Sequence, residues 1–139
     1  MPLPSQLAIH ESGHCAAQWL QGLPVCEAVL GKSRGYCSAV VTPDSLSFFV
    51  VLLAGPTVEV LVFGEFVDGG PDGDMAKAIR IAQRLGRDPR EAIQDFTARW
   101  GVKLRQALPT IIRLAVALDS QGWLCGLDVL RILEQGDHQ

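Results

Sequence analysis

The sequence has no surplus of positive charge. Its 12 Lys and Arg residues are outnumbered by 15 Asp and Glu residues, which gives a formal net charge of -3. A protein that binds nucleic acid through the phosphate backbone needs an excess of basic residues to neutralise it. A helix that lies on a membrane surface carries a face rich in Lys and Arg. The composition therefore predicts neither a nucleic-acid partner nor a membrane partner.

Segments typical of secretion or membrane insertion are also missing. The N-terminus, MPLPSQLAIH, lacks the basic start and apolar run of a signal peptide. The most apolar segment, residues 46–64, is interrupted by Gly55 and Pro56 and contains Glu59. Its longest uninterrupted apolar run is therefore well short of the ~20 residues that span a bilayer. We expect this segment to be a buried core helix and the protein to be cytoplasmic.

The cysteines show no metal-binding or redox spacing. The four cysteines, at positions 15, 26, 37 and 125, form no CxxC pair. Without a secretory context we expect them to be reduced thiols. The alternative is a Cys26–Cys37 bridge across a hairpin.

The patterns that are present predict one mainly helical domain. A chain of 139 residues, 48% of them apolar, can bury a core without disulfides, so we expect a single domain over 1–139. Cap and stop signals predict a first helix from Ser5 to Gly22. Short β-rich stretches at 25–30 and 36–42 predict a hairpin. Further helices are expected at about 45–63, 75–86, 89–118 (with a break near Gly101 or Pro109) and 126–135. The predicted fold class is mainly α (α+β), with a small β-sheet and a C-terminal helical bundle.

Two of only three histidines, His10 and His14, flank a glutamate in the stretch AIHESGHC. Helical residues four apart leave the same face, so both imidazoles can bind one metal ion. Glu11 can then take a proton from a metal-activated water without being a ligand. The alternative is a helix whose histidines never bind metal. The apolar flanks, and Gly13 with its room for close approach of another segment, favour the metal site.

A catalytic zinc site takes three protein ligands, and the third one here must be a carboxylate. The downstream histidine of many zincins is absent, because residues 18–22 read QWLQG, and His138 lies in a polar tail. The alternative role of a loop aspartate is a turn residue or a helix cap. Spacing alone leaves four candidates open: Glu59, Asp68, Asp72 and Asp74.

Four segments in order resemble the peptidase domain of FtsH-type ATP-dependent zinc metalloproteases: AIHESGHCAAQWL, VTP, VLLAGPTVEVLVFGE and GGPDGDMAKAIRIAQRLG. In that family a zinc-binding helix is followed by a small sheet, a helix of the form GG-x-x-A-E-x-x-x-FG and a segment that donates an aspartate. The closing LCGLDVLRILEQ also resembles the family's last helix. The resemblance covers most of the chain, although only the HExxH helix, the A-E/FG helix and the aspartate loop are specific.

The resemblance implies a zincin-like fold and a Zn²⁺ ion bound by three residues: His10, His14 and Asp74. It implies that Glu11 is the catalytic base. Glu59 would then lie beside the ligands and orient a histidine N–H. The alternative is that Glu59 is itself the third ligand. Asp72 is a further alternative because the loop sequence departs from the family pattern here.

The departures from the family also shape the expected function. The ATPase domain and the membrane anchors that normally precede the peptidase are not in the sequence, and two family glycines are replaced by Ala54 and Val58. We expect an ATP-independent zinc endopeptidase that cleaves unfolded proteins or peptides, aligned along strand 36–42. A homo-oligomer or a separate ATPase partner fits this expectation. The alternative is a catalytically silent peptidase-like domain that retains zinc as a binding or regulatory module.

Overall fold

A computed structural model describes residues 3–25, 27–30, 35–38 and 45–135, with the backbone alone for residues 35–38. Three short strands of this part of the chain form one antiparallel sheet in the order β2-β1-β3: β1 (Glu27–Leu30), β2 (Gly35–Ser38) and β3 (Trp123–Cys125). Six helices account for most of the remainder: α1 (Gln6–Leu20), α2 (Ser45–Phe63), α3 (Asp74–Arg84), α4 (Pro89–Gln106), α5 (Leu108–Gln121) and α6 (Gly126–Gln135). The predicted mainly α class with a small sheet is confirmed.

The HExxH helix, α1, begins and ends where its capping signals predict. The Ser5 hydroxyl accepts a hydrogen bond from the Ala8 amide at 3.1 Å, which satisfies one of the free N–H groups of the first turn. Ser5 also donates from its amide and its hydroxyl to the carboxylate of Asp119 in α5, both at 2.6 Å. The start of α1 is thereby fixed to the C-terminal end of α5.

Helix α2 is the apolar centre of the fold and packs against α1, α3 and α4. Its approach to α1 is close, because a Cβ added at Gly13 would lie 2.4 Å from Val58 Cγ2 and 2.9 Å from the Ala54 carbonyl oxygen. By length and composition alone α2 is also apolar enough to cross a bilayer, with a mean hydropathy of 2.2 and 50% of its most apolar stretch buried. Glu59 in this helix is 1% exposed, so α2 carries a buried carboxylate into the core.

In the C-terminal half, the expected break near Pro109 is present and one strand is new. The helical pattern over 89–118 forms two helices, α4 and α5, which meet at Ala107. Pro109 lies in the first turn of α5, where its missing N–H costs no helical hydrogen bond, whereas Gly101 remains inside α4. Strand β3 was not predicted: its three residues pair with β1 directly after Gly122, which has a φ of 73°.

Several predicted features lie outside the described residues. These are residues 39–42 of the second predicted strand, the proposed Cys26–Cys37 bridge and His138 in the tail. Of the first predicted strand, Glu27–Leu30 forms β1, Val25 is not in a strand, and Cys26 lies outside the described residues.

Candidate metal centre

Three side chains, two from α1 and one from the first residue of α3, meet beside α2. His10 and His14 are one turn apart and share a face of α1, where their Nε2 atoms are 2.9 Å apart. Asp74 Oδ2, at the first residue of α3, lies 2.7 Å from His10 Nε2 and 2.8 Å from His14 Nε2. Two imidazole nitrogens and one carboxylate oxygen therefore converge on a single point, and this group can hold a metal ion.

Hydrogen bonds on the far side of each ring leave the Nε2 atoms available. His14 Nδ1 lies 2.6 Å from the carbonyl oxygen of Val51, which can only accept, so the Nδ1 atom carries the proton. His10 Nδ1 donates to the Glu59 carboxylate in a short contact. With Nδ1 protonated in both rings, each Nε2 faces the cluster and, when it carries no proton, directs its lone pair there.

Glu59 connects the histidine helix to the loop that precedes Asp74. Besides His10, its carboxylate accepts hydrogen bonds from Gln6 Nε2 at 2.7 Å and from the Val67 amide at 3.0 Å. Burial raises the pKa of the Glu59 carboxyl, but the hydrogen bonds from His10, Val67 and Gln6 outweigh burial and lower the pKa. Glu59 is therefore an ionised group that orients His10 and fixes the start of the loop.

Gly55 provides the space into which the two rings fit. A Cβ at this position would lie 2.7 Å from His14 Cε1, 2.8 Å from His14 Nε2 and 2.8 Å from His10 Cε1. Real Cβ atoms do not approach other atoms so closely. The hydrogen in place of a side chain at Gly55 thus allows α2 to pass directly behind the cluster.

Glu11 is buried beside the cluster and has spare hydrogen-bonding capacity. Glu11 is 4% exposed, and its Oε1 atom lies 3.9 Å from His10 Nε2. Oε2 has no hydrogen-bond partner within the part of the chain that the structure describes. Burial raises the pKa of the Glu11 carboxyl, against the lowering influence of His14 and His10. A buried acceptor without a donor is costly, so this oxygen is suited to a small polar molecule at the cluster.

The charges around the cluster favour a cation. Burial lowers the pKa of His10, but the hydrogen bonds to Asp74 and Glu59 and the charge of Glu11 together raise it to about 9. Burial raises the pKa of Asp74, yet the hydrogen bonds and charges of His10 and His14 lower it well below its usual range. Three carboxylates thus surround two imidazoles, and a positive charge between them is stabilised.

Of the four carboxylates that the sequence left open, Asp74 is the one that joins the histidine pair. Glu59 contacts the opposite ring nitrogen of His10, as the family resemblance implied. Asp68 is exposed, and its Oδ1 accepts from the Gly70 amide at 2.9 Å, which is a turn interaction. Asp72 is exposed in a short 3-10 turn, Gly70–Asp72. The helix α3 begins at Asp74, and Gly73 occupies the capping position.

Sequence reasoning did not identify several groups that shape this centre. Gly55 could have been noticed, because a glycine inside an apolar helix often marks a close approach of another segment. Gln6 and the backbone groups of Val51 and Val67 carried no such signal, since their contacts depend on how α1, α2 and the loop pack together.

Neither the protein-family models nor the curated proteins that were searched contain a match to this chain.

Proposed function

We propose that this protein is a zinc-dependent endopeptidase, related to the peptidase domain of FtsH-type metalloproteases and active as a single chain without ATP. One observation carries the proposal: the three potential ligand atoms lie within 2.9 Å of one another, with the buried Glu11 carboxylate beside them. Two histidines and one carboxylate are a donor set used by catalytic zinc, which keeps a fourth position for water or substrate.

The composition of the group supports a catalytic ion rather than a structural one. Structural zinc sites are closed by four ligands, often cysteine thiolates. Within the described residues the cluster contains three potential ligands and no cysteine. A structural site would also have no use for a carboxylate such as Glu11, which is buried at a cost and lies next to the ligands.

Different residues of the chain would have different roles in the reaction. Zinc, when bound, would supply a Lewis acid that polarises the peptide carbonyl and makes a water molecule more acidic. His10, His14 and Asp74 would hold the ion, while Glu59 and the Val51 carbonyl keep the rings oriented through their Nδ1 protons.

Glu11 performs the proton transfers. Its Oε2 atom has no partner within the described structure and can accept the proton of the attacking water. The same carboxyl then donates this proton to the amine that leaves as the C–N bond breaks. A pKa raised by burial brings Glu11 closer to the value that suits both steps.

The sheet supports an extended substrate. In the described part of the chain β2 pairs with β1 on one side only, so its other edge can pair with a peptide backbone. The substrate class that fits is an unfolded protein or a peptide, because backbone pairing requires an extended segment. A homo-oligomer is compatible with this activity, whereas folded substrates would need a separate ATPase that unfolds them.

We propose a cytoplasmic location, with α2 as a core helix and not a membrane span. The buried Glu59 of α2 bonds to residues of α1 and of the following loop, which supports the core role. A membrane would have to accommodate that charged network.

The test compares the protein with Glu11→Gln, after zinc loading, for zinc content and for cleavage of casein or a peptide pool. We expect equal zinc in both proteins and a loss of cleavage of at least about a hundredfold in the variant. If both proteins bind stoichiometric zinc and neither cleaves the substrates, the peptidase hypothesis is rejected. The alternative is then a catalytically silent binding or regulatory module.

A further inference from the structure

An open concavity of about 490 Å³ lies between α2, the start of α3 and residues 97–105 of α4. This volume is in the range of small-molecule pockets. Six of the ten described residues that line it are apolar: Pro56, Val60 and Leu61 of α2, Phe66 of the following loop, Met75 of α3 and Val102 of α4. We call this concavity the α2–α4 groove.

Gly101 lines this groove and keeps it open. It lies inside α4, where glycine is less favourable than alanine. A Cβ at Gly101 would meet only Thr97 Cγ2, at an ordinary 3.8 Å, whereas a Cβ at Gly13 or Gly55 would collide with another helix. The packing of the described chain therefore gives no reason for a glycine at position 101, but an occupant of the groove would give one.

The walls of the groove offer few hydrogen bonds. Its two hydroxyl groups donate within their own helices, Thr57 to the Leu53 carbonyl at 2.7 Å and Thr97 to the Ile93 carbonyl at 3.0 Å. Eight of the ten described lining residues lie in α2 or α4, whose backbone groups bond mainly within the helix. A peptide backbone would exchange its hydrogen bonds to water for none here, which is costly. A plain hydrocarbon chain has no such requirement.

Arg105 supplies the one charge among the described residues that line the groove. Thr97, Gly101 and Arg105 follow one another at intervals of four residues, so they share a face of α4 with the guanidinium at its C-terminal end. None of the residues three or four positions away from Arg105 is acidic, and the ion pairs of the described chain do not include it. The positive charge of Arg105 is therefore available to an anionic group at this end of the groove.

We propose that the α2–α4 groove binds a free linear monocarboxylate of medium chain length, such as decanoate. The carboxylate would pair with Arg105, and the hydrocarbon chain would extend past Gly101 toward Thr97. These eight residues of α4 rise about 12 Å, which is close to the length of an extended chain of about ten carbon atoms. The chain would cover Val60 and Val102, which are 44% and 60% exposed. Binding requires neither zinc nor hydrolysis at the metal centre.

The experiment titrates the full chain with octanoate, decanoate and dodecanoate in an isothermal calorimeter. We expect decanoate to bind with a dissociation constant between about 10 µM and 1 mM. Each added methylene should tighten binding about two- to fourfold until the groove is filled. Because a carboxylate can also bind zinc, the titration is repeated with zinc-loaded and with chelator-treated protein. The two preparations should bind decanoate equally.

Matched variants test the two ends of the proposed contact. Gly101→Leu should fill the groove and weaken binding at least about tenfold, and its Cβ has room, so the fold should persist. Ser120→Leu adds the same side chain at an exposed position of α5 and should bind normally. Arg105→Gln should weaken binding about three- to fivefold, whereas Arg99→Gln, exposed elsewhere on α4, should not. Circular dichroism and thermal melting check that each variant is folded.

Several results would overturn the proposal. The first group is no binding of decanoate, binding only to the zinc-loaded protein, equal binding of decylamine, and unchanged binding in Gly101→Leu. Equal losses in Arg105→Gln and Arg99→Gln would replace the specific ion pair with general charge. Tighter binding of a peptide with a C-terminal leucine, lost in Arg105→Gln, would assign the groove to the end of a polypeptide. Self-association that Gly101→Leu abolishes would assign it to a second copy of the chain.

Discussion

Gly55 lies directly behind His14: a methyl group on Gly55 would stand 2.7 Å from the Cε1 atom and 2.8 Å from the Nε2 atom of the ring. The ring cannot easily yield, because its Nδ1 is fixed to the Val51 carbonyl at 2.6 Å. We therefore expect Gly55→Ala to displace the imidazole and to lower zinc affinity by about one to two orders of magnitude. Competition with a chromogenic chelator measures this change.

Gly101 provides the control for that substitution. It also lies inside a helix, α4, but an added Cβ would meet only Thr97 Cγ2 at an ordinary 3.8 Å. Gly101→Ala should leave zinc affinity unchanged and stabilise the fold by about 0.5–1 kcal/mol through helix propensity. If Gly55→Ala binds zinc with native affinity, the contact between Gly55 and the His14 ring does not determine the position of that ring.

Asp74 and Asp72 are two residues apart and differ completely in their surroundings. Asp74 contacts both histidines, whereas Asp72 is exposed in the preceding turn. Asp74→Ala should lower zinc affinity by more than about a hundredfold, because one of three ligands is lost. Asp72→Ala changes the charge equally and should bind zinc normally. Similar losses in the two variants would mean that charge near the loop, rather than ligation, controls the affinity.

Glu59→Gln tests whether the orientation of His10 matters apart from ligation. Glutamine has almost the same shape but is a weaker acceptor for His10 Nδ1, so we expect zinc to remain bound with about 10- to 100-fold lower affinity. The spectrum of the Co²⁺-substituted protein should change, because the ring geometry is altered. Glu65→Gln, exposed in the loop that follows α2, is the control and should leave the spectrum unchanged. An unchanged spectrum in Glu59→Gln would contradict the orienting role.

The local patterns predicted most of the helices, because capping and helical periodicity act within a few residues of the chain. Ser5 as the cap of α1 and the amphipathic α3 are examples. Strand β3 could not be predicted, since three residues carry little pattern of their own and pair with β1 from about a hundred residues away. The break between α4 and α5 at Ala107 could be predicted from Pro109, because proline acts on the helix locally.

The candidate site shows the same division between local and distant information. His10, Glu11 and His14 were visible as a motif because one helical turn joins them. The position of Asp74 depends on the path of a loop between two helices, so spacing left four carboxylates open and the family resemblance was needed to choose among them. The contacts of Gln6 and Val67 with Glu59 arise only from packing.

Gly13 links the packing of the two central helices to the metal centre. Gly13→Ala would place a Cβ 2.4 Å from Val58 Cγ2 and 2.9 Å from the Ala54 carbonyl oxygen. Val58 is fully buried and cannot turn away, so the helices must separate. We expect a loss of about 1–3 kcal/mol in the free energy of unfolding, measured by urea denaturation, despite the better helix propensity of alanine.

A double variant shows whether that loss comes from the stated contact. Val58→Ala removes the Cγ2 atom, so Gly13→Ala should cost less in this background than in the native protein, with a coupling of at least about 0.5 kcal/mol. The rescue should be partial because the Ala54 carbonyl remains in place. Zinc affinity should fall in Gly13→Ala and recover in part in the double variant, since His14 on α1 and Gly55 on α2 are positioned by the same helix contact. Strictly additive effects on stability would refute this account of how the two helices set the metal centre.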